Sequence, residues 1–432
     1  MLPALIPISS LLISSSFLLL GHGLLLTLLP IFASASGFSN AEIALTGSAY
    51  FLGFVCGCLF APHILKRVGH IRTFAVLATS YSVVILIFPL LPDIWAWLVL
   101  RFLVGLTISG LYMIIESWLS ERSDSSNRGS ILSVYTVLNM IMMMCGQQLF
   151  NFGSANSQML FALAAIAVSI AIVPVSLTLT LAPAAVHSIK LDIGKVWRHS
   201  HIALVSVIAA GLVTGAFWSL APLYAKANGF DNTQLTIFMS ATVLGGACFQ
   251  YPLGRLSDRY DRRLVLMFMA LAGTLASLAF VLLPLVTSNF GGWLASLTAF
   301  FWGGTCMTIY AISLAHANDN APPSDFVEIG TAMLVTLGLC SAVGAPLASL
   351  VMNIAGPVGL YIFSSASLLI YFSIILVRRR QHKIPEPPAS RDTFRTVTDM
   401  TGPTAFEIDP RYETTEMEEM RSEEREESGE AV

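Results

Sequence analysis

The chain carries a copy of part of itself at a fixed offset of 192 residues, which takes Pro30 onto Pro222. Residues 29–43 read LPIFASASGFSNAEI and residues 221–235 read APLYAKANGFDNTQL, so Ala33 also falls on Ala225, Gly37 on Gly229, Phe38 on Phe230 and Asn40 on Asn232. The same offset carries Gly53 onto Gly245 and Lys66-Arg67 onto Asp258-Arg259. Each copy sits between two long apolar runs. A repeat of this kind constrains the chain to two halves of like construction.

The solvent those halves fold in follows from composition. Of 432 residues, 55% are hydrophobic and 11% charged, where a soluble domain carries roughly 25% charged residues. A spanning helix needs about 20 mostly apolar residues. Twelve such runs are present, at approximately 9–34, 41–65, 71–91, 94–119, 129–153, 157–182, 202–226, 233–256, 264–287, 290–317, 327–353 and 355–378. Six precede the central loop and six follow it. In hydrocarbon every backbone polar group must be satisfied within the segment, so the runs are predicted to be helices. With the N-terminus placed in the cytoplasm, basic residues from Lys66, Arg67 and Arg72 through Lys195 and Arg262 to Arg378–Arg380 fall on the inner side. Only Lys226 falls outside. That asymmetry predicts a multi-pass protein of a bacterial-type inner membrane with both termini cytoplasmic. The first run is read as a retained helix rather than a cleaved leader, because its turn has an internal copy.

All six cysteines fall inside runs and read as small packing residues. No metal site, cofactor or nucleic-acid partner is expected. Residues 183–201, with Lys190, Lys195, Trp197 and Arg198, form a charged central loop. From Pro385 onward fourteen acidic residues face five arginines, a net −9 that leaves +6 on the rest of the chain. Such a segment is too polar to build a core and is expected to be disordered.

The sharpest motif is Gly254-Arg-Leu-Ser-Asp258-Arg259-Tyr-Asp-Arg262-Arg263, between the eighth and ninth runs. It resembles the loop signature of the major facilitator superfamily, Gly-x-x-x-Asp-Arg-x-Gly-Arg-Arg, with Asp261 in place of the usual glycine. The first-half copy keeps Arg67 and Gly69 but has Lys66 where the family has an acid. The fourth run adds Arg101-Phe-Leu-Val-Gly105, similar to the superfamily's Arg-x-x-x-Gly. Its end, Glu116-Ser-Trp-Leu-Ser-Glu121 followed by Asn127-Arg128-Gly129, resembles the YcaD-like branch. The resemblance covers residues 1–383. It implies an all-α membrane protein of twelve transmembrane helices in two pseudo-symmetric six-helix bundles, 1–182 and 202–383, joined by the loop 183–201 and followed by the tail 384–432. It also implies a central cavity with alternating access. Gly254, Asp258, Arg259, Arg262, Arg263, Lys66, Arg67, Glu328, Glu121 and Arg128 become candidates for an inner gate. Lys66 and Glu328 are expected to pair across the halves, compensating for the lost acid.

Ionisable residues inside spans are costly unless paired or wetted, so each is a functional candidate. Glu116, Arg101 and His22 are the coupling candidates. Glu116 and Arg101 lie roughly 22 Å apart along one helix and cannot pair within it. Glu116 therefore reads either as a proton carrier or as a clamp to Arg67 or Arg72. Arg101 reads as a coupling group or an interface anchor, and His22 as a relay or a histidine satisfied by a neighbour. Helices one, four, seven and ten line the cavity in the family. This makes Tyr112, Trp218, Trp302 and Tyr310 cavity candidates, with Gln147 from the fifth run, although such aromatics also serve as packing or belt residues. Gly146-Gln147-Gln148 stands where many drug/proton antiporters of the superfamily carry Gly-Pro, which weighs against multidrug export.

No nucleotide-binding loop and no hydrolase motif is present, so neither direct ATP drive nor an enzyme is expected. The reading is a monomeric secondary transporter of a small organic solute, neutral, zwitterionic or singly charged, coupled to protons, with direction left open. A drug or metabolite exporter is the alternative within transport. A non-transporting sensor signalling through the acidic tail is the alternative outside it.

Overall fold

A computed structural model describes residues 8–122, 128–154, 157–178, 192–286, 292–319, 321–322 and 325–381. Twelve long helices follow one another among the described residues. The first half holds α1 (Ser9–Ala35), α2 (Asn40–Val68), α3 (His70–Ile87), α4 (Ile94–Glu121), α5 (Arg128–Gln148) and α6 (Gln158–Ser176). The second holds α7 (His201–Ala227), α8 (Asn232–Arg259), α9 (Arg262–Val286), α10 (Trp293–Asn318), α11 (Phe326–Ala355) and α12 (Gly359–Gln381). A short connecting helix, Ile193–His199, precedes α7. Eleven of the twelve are long and apolar enough to cross a membrane by length and composition. The exception is α8, whose 28 residues include Gln234, Gln250, Arg255, Asp258 and Arg259. It is the second-half copy of α2 and completes the twelve.

The sequence repeat is a repeat of hydrogen bonds. Phe38 N–H donates to the Ala33 carbonyl and Phe230 N–H to the Ala225 carbonyl, at 3.0 Å in both. This closure of a helix C-terminus needs a left-handed residue, which glycine adopts without a Cβ penalty. Gly37 and Gly229 supply it, at φ +90° and +79°. Ser39 and Asp231 then cap α2 and α8. Each accepts from the backbone N–H three residues on, while Glu42 or Gln234 reaches back to the cap. Reciprocal boxes of this kind satisfy two orphan donors at once.

Packing repeats as well. In the first half α2 lies along α4, α1 along α5 and α3 along α6; in the second, α8 lies along α10, α7 along α11 and α9 along α12. Glycine sets the closest approaches. A Cβ at Gly53 would collide with the Phe102 carbonyl, and one at Gly245 with the Phe300 carbonyl. Lipid offers helices no hydrophobic drive to associate, so backbone proximity at small residues supplies the contact. The halves meet along α2–α11 and α5–α8, with α7 packed against α1 and α2. An even number of spans returns the chain to the face where it began. This is called the terminal face below, and the opposite one the far face.

Candidate functional site

Two cavity lobes open between the halves and share one residue, Trp218 of α7. Tyr112, Asn139, Gln250 and Met307 line the lobe nearer the terminal face. Tyr50, Phe54, Arg101, Thr214, Ser219 and Ser341 line the other. Small residues bring α7 close enough to divide the space: a Cβ on Gly215 would strike the Ser341 backbone of α11.

Arg101 anchors a buried cluster. Its Cζ sits 5.1 Å from the ring centroid of Tyr50, a cation–π arrangement. The Tyr50 hydroxyl lies 3.4 Å from His22 Nε2, and the Tyr81 hydroxyl 2.7 Å from His22 Nδ1. His22 thus has a neighbour on each ring nitrogen, and Gly21 and Gly23 let it sit in a tightly packed stretch of α1. Among the described residues no carboxylate lies within ion-pair distance of Arg101.

Glu116 lies one turn beyond Tyr112 on α4 and is fully buried. Tyr112, Tyr135 and Cys58 are its electrostatic neighbours. Close by, Ser15 donates to Asn139 Oδ1 at 2.5 Å, tying α1 to the cavity wall on α5. Arg67 and Arg72, the proposed clamp partners, are exposed.

At the terminal face the loop motif closes on an acid that its spacing alone does not reveal. Arg262 donates from Nε to Asp319 at 2.6 Å, from Nη1 to Ser257 at 3.1 Å, and pairs with Asp258 at 3.3 Å. Ser257 in turn donates to the Gly254 carbonyl at 2.7 Å. Asp261, which replaces the family glycine, accepts from Arg263 N–H at 2.9 Å and so caps α9; an acid there also suits the positive end of the helix. Arg259 is exposed and Arg263 half-buried.

The expected Lys66–Glu328 pair is not formed. Lys195 of the connecting helix holds Glu328 at 2.5 Å and Asp325 at 2.7 Å, while Lys66 and Arg67 are exposed. The two carboxylates hold the Lys195 ammonium above its ordinary range by hydrogen bonds, Asp325 first and then Glu328. The connecting helix is joined to α7 by a single residue and packs against α11. The side chains of Glu121 and Arg128, the loop 183–191 and the tail 384–432 lie outside the described residues.

The far face is laced by hydrogen bonds between α5 and α8. Gln148 Nε2 donates to the Thr236 carbonyl at 3.1 Å and to Ser240 Oγ at 2.8 Å, and Asn151 Nδ2 donates to Thr236 Oγ1 at 2.9 Å. Gln147, fully buried, accepts from Ser240 at 3.0 Å, so it belongs to this seam. Ser48 of α2 closes the opposite seam onto the Ala342 carbonyl of α11 at 2.5 Å.

The four aromatic candidates separate. Trp218 and Tyr112 face the lobes. Trp302 packs behind α7, stacked on Phe217 at 4.7 Å and donating to Ser277 at 3.0 Å; Tyr310 is likewise buried, off the lobe walls. Sequence reading passed over Tyr81 and Asp319. Nothing in a run of apolar residues singles out a tyrosine as a histidine's partner, whereas an acid closing the tenth run was a usable signal.

Comparison with known proteins agrees with this architecture. The Major Facilitator Superfamily profile matches residues 11–335 and, again, 203–408. The Salmonella newport (strain SL254) protein named "Uncharacterized MFS-type transporter YcaD" is 25% identical over 387 residues, 89% of this chain and 98% of that one. The nucleoside transporter NupG superposes with a TM-score of 0.71 at 14% identity, over 86% of this chain and 98% of that one. The D-xylose-proton symporter does so with 0.66 at 12%, over 89% and 99%. The repeat, the twelve helices in two like bundles and the match over most of its length make this chain a member of the major facilitator superfamily, a multi-pass membrane transporter similar to the YcaD proteins.

Proposed function

We propose that the chain moves a small organic solute across a bacterial inner membrane by alternating access, with both termini in the cytoplasm. The observation that carries this reading is the asymmetry of the interface between the halves. The far face is sealed by the Gln148–Ser240 and Ser48–Ala342 contacts. The ion pairs Lys195–Glu328 and Arg262–Asp319 at the terminal face stay within the second half. With the cytoplasm at the terminal face, this is an inward-facing state. Rocking the halves about Trp218 would break one set of contacts and bring the other edges together.

Proton coupling is assigned to Glu116, a wholly buried carboxyl beside Tyr112 and Tyr135. Tyr112, one turn away on the same helix, lines the lobe, which sets the proton site beside the solute's path. The test uses two single-cysteine proteins. Gln250→Cys reports access from the terminal face and Ser48→Cys access from the far face. A transported solute should lower labelling at one position as it raises labelling at the other. Labelling that stays fixed at both positions, for every solute that thermally stabilises the protein, would remove the alternating-access reading.

A further inference from the structure

The lobe around Arg101 contains an electrostatic imbalance. Arg101 is 5% exposed, yet its Nε has no hydrogen-bond partner, and among the described residues the guanidinium meets no acid. A buried cation left without an anion is costly, and a tyrosine ring offsets only part of that cost. Arg101 nonetheless lines the lobe, together with Leu26, Phe51, Phe54 and Leu334, and with Trp218 at the junction with the second lobe. No other lysine, arginine or histidine and no acid lines this lobe. A fixed single positive charge in a mostly apolar lobe is complementary to one class of solute.

We infer that the lobe is a subsite for an amphipathic organic monoanion whose carboxylate, or an anionic group of like shape, is held by the Arg101 guanidinium while its apolar body lies against Phe51, Phe54 and Trp218. The inference deepens the transport reading and rests on the cavity being the solute's path. The planar guanidinium presents parallel N–H donors that match a carboxylate, which an ammonium in the same place does not. One guanidinium balances one negative charge. A dianion would bring a second charge into apolar walls, and a cation would be repelled.

The test is a charge series on the purified full-length protein in a non-ionic detergent at neutral pH, read as thermal stabilisation. The probes are two matched sets: phenylacetate, phenylacetamide and phenethylamine; and octanoate, octanamide and octylamine. Binding to the native state raises its stability in step with affinity. In the wild-type protein the carboxylates should bind at least about tenfold more tightly than their amides and amines, the range of a charge-assisted bidentate contact. Arg101→Gln should erase that preference, and Arg101→Lys should keep part of it. Amides or amines that equal the carboxylates in the wild type would overturn the inference, as would carboxylates that fail to stabilise it or a preference surviving in Arg101→Gln. The wild-type series decides alone if a variant does not fold. Because the readout is binding, a flat series in a protein whose cysteine labelling alternates removes the anion subsite and spares transport. A clear carboxylate preference in a protein whose labelling never alternates does the reverse.

Discussion

Glu328, at the start of α11, is held by Lys195 of the connecting helix at 2.5 Å, and not by Lys66 of the first half. The segment that joins the two halves is thereby fastened to the second. Lys195→Ala should lower thermal stability by about 1 kcal/mol or less, since the pair is partly exposed and screened. A Lys195/Glu328 double-mutant cycle in which the single defects simply add would show that no coupling exists. The pH dependence has a definite sign. The folded state raises the Lys195 value above its ordinary 10.5, so the contribution is complete below that value and is lost as pH climbs through the raised one. Melting curves between neutral pH and moderately alkaline pH should therefore show the Lys195→Ala difference unchanged.

The far-face seam should govern which access state the protein occupies. Gln148 Nε2 donates two cross-half hydrogen bonds, to the Thr236 carbonyl and to Ser240 Oγ. Each is worth about 0.5–1.5 kcal/mol net, so Gln148→Leu, which removes both, should shift the ratio of states by roughly five- to 150-fold. Far-face labelling at Ser48→Cys should rise accordingly. Unchanged labelling would mean that the seam does not hold the far side shut.

Glu116→Gln keeps the shape of a buried side chain that stands beside Tyr112 and Tyr135 and fixes it neutral. If Glu116 carries the coupled proton, accumulation driven by a pH gradient should fall to background in the variant, while exchange of internal for external solute continues. If it is only a structural anchor, accumulation and exchange should fall together, or the protein should express poorly. Gradient-driven accumulation retained in a well-expressed variant would remove Glu116 from the coupling path and direct attention to the His22 cluster.

The two capping boxes offer a test of equivalence between the halves. Ser39→Ala and Asp231→Ala each remove the side-chain acceptor at the head of a long helix. Each should lower stability by about 1 kcal/mol, and the double variant should show the sum because the sites are far apart. A silent variant at one site with a loss at the other would mean that the two turns do not bear equivalent loads.

How far the sequence reached depended on whether the relevant physics was local. The spans were legible because solvation in lipid acts on each segment separately: about 20 apolar residues suffice whatever their neighbours are. The turns at 29–43 and 221–235 were legible for a similar reason. A glycine at a left-handed position followed by a capping box is settled within a few residues, and its recurrence at a fixed offset announced two like halves. Even α8, the least apolar helix, was recognisable as the copy of α2. Tertiary structure decided what those helices turn toward one another. An apolar helix in a bundle has no polar face to mark its orientation, so Trp218 and Trp302 looked alike in sequence. Rotation about α7 and α10 put the first at the junction of the lobes and the second behind Phe217. Charge partners were hidden for the same reason. Asp319 for Arg262, Lys195 for Glu328, and the acid-free lobe around Arg101 depend on which helix ends meet, a relationship between distant segments that only the packed fold sets.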